Sequence, residues 1–268
     1  MKSAPIKFGT DGWRAIIAQD FTEYNVARVA QGLATWLLQQ EAKPSVVIGH
    51  DCRFGGPLFT EIATRVLGAN GIKVYLAKGF VSTPMVSLGV LLHKANQGVV
   101  ITASHNPPTY NGFKLKGAHG GPTSPKDIAA VEALIPEDLE LPSISLENME
   151  AKGLLAYVDL ETSYIEYLKT KFDFDALRKS PFKLAYDAMF GAGQNVIHKL
   201  LPQAVLLHCE HNPGFEGTAP EPLDRNLQLL SQTIHQTPEI KIGLATDGDA
   251  DRIGLYDEDG QFVDAHHI

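Results

Sequence analysis

Residues 247–252 read Asp-Gly-Asp-Ala-Asp-Arg, three carboxylates at alternate positions with only Gly248 and Ala250 between them. If the loop curls, Asp247, Asp249 and Asp251 converge on one hard cation, and a divalent ion that prefers oxygen ligands is the natural partner. Packed together without a cation they repel one another, so the pattern calls for a bound metal or for full exposure to solvent. Two other readings compete: a plain acidic turn, and a calcium-binding EF-hand loop, for which Glu258 stands at the twelfth position from Asp247. Against calcium, Arg252 occupies the sixth position, where that loop requires glycine, and the flanks IGLAT and IGLY read as strands rather than helices. The pattern favours a magnesium-type loop between strands.

A second cluster, residues 102–114 (TASHNPPTYNGFK), follows the apolar run 97–101. Taken alone, Ser104 before an Asn-Pro pair reads as a turn former whose hydroxyl bonds the local backbone. His105 beside it invites comparison with a serine hydrolase. There is no G-x-S-x-G elbow, however, and sequence neighbours rarely hold nucleophile–base geometry. His105, Asn106, Tyr110, Asn111 and Lys114 all fall in this stretch, which reads as one loop shaped by Pro107, Pro108 and Gly112. Beside a cation site Ser104 can carry a phosphate, whose charge of about -1.5 to -2 and acceptor oxygens would complete a metal shell that three aspartates leave open. Together the two loops point to metal-assisted phosphoryl transfer.

Such loops need a scaffold. Residues 25–40 place Val26, Val29, Ala30, Leu33, Leu37 and Leu38 on one helical face. Residues 45–50, 73–76 and 98–102 read as strands, and 57–70 and 84–94 as helices. The alternation predicts an α/β sandwich with ligand loops at the carboxyl ends of its strands, where Ser104 lies. The acidic, proline-containing segment 135–148 marks a domain boundary. Beyond it, helices at 160–172, 194–201 and 225–235 and strands at 183–187, 204–208 and 242–246 form a second α/β unit over about 151–255. The expected fold class is α/β, with two consecutive α/β/α sandwich domains, each with a mixed central sheet between helices.

Composition narrows the class. A chain of 268 residues with 44% hydrophobic and 20% charged content is globular, not fibrous, disordered or repetitive. The net charge of -8 argues against a nucleic-acid partner. No run approaches the ~18 apolar residues of a membrane span, and MKSAPIKFGTDGWRA lacks the apolar core of a signal peptide, so no membrane partner is expected and the cytoplasm is the expected compartment. Cys52 and Cys209 are too few for a disulfide framework and read as small buried side chains.

Five segments recur in a known order: Phe8-Gly9-Thr10-Asp11-Gly12-Trp13-Arg14, Gly49-His50-Asp51-Cys52-Arg53, Gly79-Phe80-Val81-Ser82-Thr83-Pro84, residues 102–114 and residues 247–252. Through them the chain resembles the α-D-phosphohexomutases, the phosphoglucomutase and phosphomannomutase superfamily, from about Ile6 to Asp264. The resemblance implies a domain I over 1–150 carrying the phosphoserine loop, a domain II over 151–255 carrying the metal loop, and the start of a truncated domain III at 256–268. It makes Ser104 the phosphoryl donor and acceptor, with one Mg²⁺ per chain held by Asp247, Asp249, Asp251 and the phosphate on Ser104. Arg252 would pair with the phosphoserine, Arg14 would support it, and Lys114 would act as general base, its pKa lowered by nearby cations. His105 would share the proton transfer or orient the loop.

The implied reaction moves a phosphoryl group between the 1- and 6-positions of a hexose phosphate through a bound hexose 1,6-bisphosphate, which also serves as activator. No nucleotide is consumed, and a closing lid would exclude water. Trp13 inclines the substrate toward glucose or mannose phosphate rather than glucosamine phosphate. Members of the family have four domains, so the native chain is expected to continue into domains III and IV, which choose the sugar and grip its phosphate. These 268 residues alone are expected to bind metal and to turn over poorly. Two further function classes stand beside this one: a Mg²⁺-dependent phosphate-ester hydrolase and a metal-binding or regulatory module without chemistry.

Overall fold

The computed structural model describes residues 6–9 and 12–263; Thr10 and Asp11 of the first motif and residues 264–268 lie outside the described residues. The chain divides into two units. One comprises residues 1–50, 55–103 and 109–160, the other residues 51–54, 104–108 and 161–268.

The first unit contains β1 (Trp13–Ile16), α1 (Glu23–Gln40), β2 (Ser45–His50), α2 (Gly56–Ala69), β3 (Lys73–Ala77), α3 (Thr83–His93), β4 (Gln97–Ile101), β5 (Tyr110–Gly117), α4 (Pro125–Ala133), α5 (Leu146–Ala151) and β6 (Leu155–Val158). Its sheet runs β1-β5-β4-β2-β3-β6. β4, β2, β3 and β6 are mutually parallel, and β5 is antiparallel to both of its neighbours. Thr22 starts α1 by accepting the Asn25 backbone N–H at 3.2 Å. The helix then buries Val26, Val29, Leu33 and Leu37, each contributing about 1.5–3 kcal/mol. Leu38 is 42% exposed and does not join that face, because it sits one step round the helix from Leu37.

Residues 110–117 are a strand, not the end of a loop. Glycine and asparagine ordinarily punctuate loops, yet β5 pairs on both edges, and Lys114 and Lys116 are 3% and 6% exposed within it. Gly112 is required there: a Cβ would stand 2.4 Å from the Thr102 carbonyl oxygen and 2.8 Å from that of Trp13. Tyr110, Asn111 and Lys114 therefore belong to the sheet, and the serine loop is shorter than its composition implies.

The second unit contains α6 (Leu160–Lys169), which opens on the last residue of the first unit, followed by α7 (Phe174–Lys179), β7 (Lys183–Asp187), α8 (Gln194–Leu200), β8 (Val205–Leu207), α9 (Gln228–Gln236), β9 (Ile240–Thr246), β10 (Ile253–Tyr256) and β11 (Phe262–Val263). Its sheet order is β11-β10-β9-β7-β8, with β9, β7 and β8 parallel and β10 and β11 antiparallel at one edge. Leu227, Leu230 and Ile234 pack against Ala185, Ile240, Ala245 and Tyr256 to form its core.

Both are α/β/α domains with mixed sheets, as expected. The division falls at Leu160/Glu161 rather than at residue 150, because β6 pairs with β3 and completes the first sheet. Residues 256–263 complete the second sheet, with Tyr256 fully buried. Among the described residues no helix is long and apolar enough to cross a membrane.

Candidate functional site

The second unit places two loops at the carboxyl ends of the adjacent parallel strands β7 and β9, the position where open α/β sheets bind ligands. After β7 the chain turns through Met189 and Phe190, at φ 48° and 58°. The Asp187 carboxylate steadies this turn by accepting the Met189 backbone N–H at 2.8 Å. Asp187 also bonds His208 Nδ1 at 2.9 Å, and that carboxylate raises the imidazole's pKa. The turn braces the aspartate loop: Ala192 N–H donates to the Gly248 carbonyl at 2.9 Å, and a Cβ at Gly191 would stand 2.8 Å from the Asp247 carbonyl.

After β9 the chain curls as the carboxylate spacing requires. Ala250 adopts φ 54°, and Asp247 Oδ1 accepts the backbone N–H groups of Asp251 at 3.0 Å and Arg252 at 3.1 Å. One oxygen each from Asp247, Asp249 and Asp251 consequently lies within 4.8 Å of the others. Among the described residues this is the one cluster of carboxylate, imidazole or thiol groups with metal-ligand spacing. Asp247 and Asp249 are fully buried and Asp251 is exposed. Burial, and then the neighbouring Asp249 and Asp251 carboxylates, push Asp247 up to about 7, while the Ser104 hydroxyl and the Arg252 backbone N–H pull the other way. This donor set is all oxygen and mutually repulsive, with Asp247 half-protonated near neutrality, and a hard divalent cation would relieve it.

Ser104 is also fully buried and belongs to this second unit. At φ 53° its hydroxyl donates to Asp247 Oδ2 at 2.8 Å. His105 Nδ1 lies 3.4 Å from Ser104 Oγ but accepts Arg252 Nη1 at 2.6 Å, and His105 Nε2 stands 3.9 Å from Glu221 Oε1. The imidazole thus spends its Nδ1 lone pair on the guanidinium and orients Arg252 beside the serine. Ser104, His105, Arg252 and the three aspartates are brought together in the second unit.

Arg14 and Lys114 lie in the first unit on β1 and β5. Arg14 opposes Gly112 in the antiparallel register, and Lys114 stands two residues along, so both side chains leave the same face of that sheet. Trp13 is 4% exposed and stacks on Phe21 with ring centroids 4.8 Å apart, a core role. Cys52 is buried and Cys209 half-buried. Burial raises both thiols, Cys209 to about 11, so neither supplies a thiolate. Three features escaped sequence reasoning: the Asp187–His208 pair, Glu221, and Arg53, whose side chain holds the serine loop. Only Arg53 left a trace, inside the segment Gly49-His50-Asp51-Cys52-Arg53.

A Cβ at Gly248 would stand 2.5 Å from the Ser104 carbonyl oxygen. Gly248→Ala is expected to cost about 1–3 kcal/mol in urea unfolding and to displace Ser104 from Asp247. Unchanged unfolding and unchanged phosphate uptake would show that the two loops do not need this close approach.

Fold and site define a protein of two α/β/α domains in which a buried serine faces a loop of three carboxylates. The chain belongs to the phosphoglucomutase/phosphomannomutase family, within the α-D-phosphohexomutase superfamily: alpha/beta/alpha domain I matches residues 5–141 and alpha/beta/alpha domain II matches residues 162–260. It is 32% identical to a phosphoglucomutase of Staphylococcus haemolyticus, over 95% of this chain and 49% of that protein. It is 33% identical to a phosphoglucosamine mutase of Thermoanaerobacter pseudethanolicus, over 97% of this chain and 57% of that protein. The crystal structure of a provisionally named phosphomannomutase from Thermus thermophilus superposes with a TM-score of 0.89 at 37% identity, covering 98% of this chain and 60% of that one. The chain spans about half the length of the curated relatives it matches.

Proposed function

We propose that this chain carries the phosphoserine and metal centre of a phosphohexomutase, an intramolecular phosphotransferase interconverting hexose 1-phosphate and hexose 6-phosphate. The observation that carries the reading is the buried Ser104 hydroxyl, 2.8 Å from Asp247 and beside the other two carboxylates. The Asp247, Asp249 and Asp251 carboxylates, with a phosphate oxygen on Ser104, would hold one Mg²⁺. When bound, that ion supplies Lewis acidity and neutralises charge on the transferring phosphoryl group.

The chain's own residues divide the remaining work. Phosphorylated Ser104 gives its phosphoryl group to a free hydroxyl of the hexose phosphate: the P–Oγ bond breaks, a P–O bond to the sugar forms, and Lys114 takes the hydroxyl proton. Reversal at the other phosphate of the resulting hexose 1,6-bisphosphate restores phosphoserine and releases the isomer. Arg252, oriented by His105, pairs its guanidinium fork with the phosphate, and Arg14 supports it. The same bisphosphate, supplied free, would prime Ser104. Glucose or mannose phosphate is the proposed hexose, on the likeness of the motif around Trp13, and the cytoplasm is the proposed compartment.

We assign choice of the sugar and grip on its distal phosphate to the additional length that the relatives possess. These 268 residues alone are therefore expected to take up phosphate but to isomerise at roughly a hundredth of the full-length rate or less. A coupled assay showing full-length-like turnover would refute that division of labour. The reading itself is tested by incubating the protein with Mg²⁺ and glucose 1,6-bisphosphate, followed by intact-mass analysis and peptide mapping. One phosphate on Ser104 is expected. Its consistent absence, with inorganic phosphate released instead, would favour a phosphate-ester hydrolase; no reaction at all would favour a metal-binding module.

A further inference from the structure

We infer that Arg53 is a positioning residue that locks the main chain of the Ser104–Pro108 loop and so aims the Ser104 hydroxyl at the carboxylates; the inference rests on the phosphoserine reading above. Arg53 is 2% exposed and belongs, with the rest of Asp51–Phe54, to the second unit. Its guanidinium converges on three successive parts of one loop. Nη2 donates to the carbonyl of Ser104 at 2.6 Å and to that of Asn106 at 2.7 Å, and Nη1 donates to the carbonyl of Pro107 at 2.9 Å. The fork is itself held on two sides. Asp51 Oδ2 lies 3.3 Å from Nε while Asp51 Oδ1 accepts the Arg53 backbone N–H at 3.0 Å, and the guanidinium carbon sits 5.2 Å from the centre of the Phe215 ring.

Ser104 needs such a clamp. Its φ of 53° is a left-handed conformation that a serine adopts only when its surroundings impose it. Its carbonyl oxygen is confined between Arg53 Nη2 and the bare Cα of Gly248, where a Cβ would stand 2.5 Å away. With the carbonyl pinned on one side, the left-handed turn throws Oγ to the other, onto Asp247 at 2.8 Å. The clamp also suits the charge that phosphoryl transfer brings: a permanently cationic group behind the loop offsets the anion created on Ser104 without competing for its oxygens. Lysine carries the same charge but has no planar fork to span three carbonyls while stacking on Phe215.

The test uses the full-length protein with Arg53→Lys and Arg53→Ala, reading the rate of Ser104 phosphorylation from glucose 1,6-bisphosphate by quench and intact mass, and Mg²⁺ affinity by titration calorimetry. Both variants are expected to phosphorylate about 100-fold more slowly, with Mg²⁺ affinity within about threefold of wild type, because the aspartates are untouched. Millimolar guanidinium is expected to restore part of the rate in Arg53→Ala. A role confined to folding would lower yield and melting temperature while leaving the rate per folded molecule unchanged, and that result overturns the proposal.

If both variants fail to fold, Asp51→Asn, which loosens the fork without removing it, is expected to slow phosphorylation less severely and to speed amide exchange at residues 104–108. Wild-type rate and wild-type exchange there would overturn the proposal equally. Wild-type protein that never takes phosphate on Ser104 refutes the phosphoserine reading instead, while amide exchange at residues 104–108 still reports on the clamp.

Discussion

Ser104→Ala is expected to abolish phosphate incorporation from glucose 1,6-bisphosphate and to lower isomerisation by the full-length protein at least about 10⁴-fold. The size of the effect follows from the state of the two thiols and of His105. The two thiols are held protonated by burial, and His105 has committed Nδ1 to Arg252 at 2.6 Å. Metal binding should survive, since the three carboxylates remain. Loss of the serine's hydrogen bond, which lowers the Asp247 pKa, should shift the pH dependence of Mg²⁺ binding slightly upward. Intact mass, peptide mapping and a coupled assay on one preparation check these outcomes. Phosphate that still enters Ser104→Ala at another residue would show that the nucleophile has been misassigned.

The second large effect concerns the carboxylates. Asp247 titrates near 7 in the metal-free fold, so Mg²⁺ must displace a proton below that pH, and affinity is expected to fall about tenfold per unit as pH drops from 7 to 5. The stability of the metal-free protein should run the opposite way. A carboxyl whose folded pKa is raised binds more protons folded than unfolded between about 4 and 7, so stability declines as pH rises through that window and levels off above it.

Asp247→Asn removes the buried like-charge repulsion. It is therefore expected to stabilise the metal-free protein at pH 8 by about 2 kcal/mol and to weaken Mg²⁺ binding at least about 100-fold. Urea unfolding in EDTA at several pH values, with calorimetric Mg²⁺ titrations, measures both. A metal-free stability flat from pH 5 to 8, together with an Asp247→Asn variant destabilised to the same extent with and without Mg²⁺, would refute the picture of three carboxylates strained in the absence of a cation.

Chemistry that lives within a few consecutive residues was legible in the chain. The spacing of Asp247, Asp249 and Asp251 marked a candidate cation site, and the structure curls that loop through Gly248 and Ala250 as the small residues allow. Short β-branched runs bounded by turn residues also declared themselves: the strands at Ser45–His50 and Lys183–Asp187 have the limits read from sequence. Strand membership was harder wherever it depends on a partner. Residues 110–117 have a loop's composition, and β6 and β11 are single short runs that become part of a sheet only through pairing with β3 and β10.

What the sequence indicated by itself, then, is which groups the proposed phosphoryl transfer would use: Ser104, the run of three carboxylates, and the arginines and lysine of the motifs around them. Tertiary structure alone decided their state. Asp247 is raised because folding buries it beside two like charges, and Ser104 faces it because Arg53 pins carbonyl groups more than fifty residues away. The reason is physical: backbone carbonyls carry no residue identity, and burial is a property of the assembled fold, so neither is written at any one position in the chain.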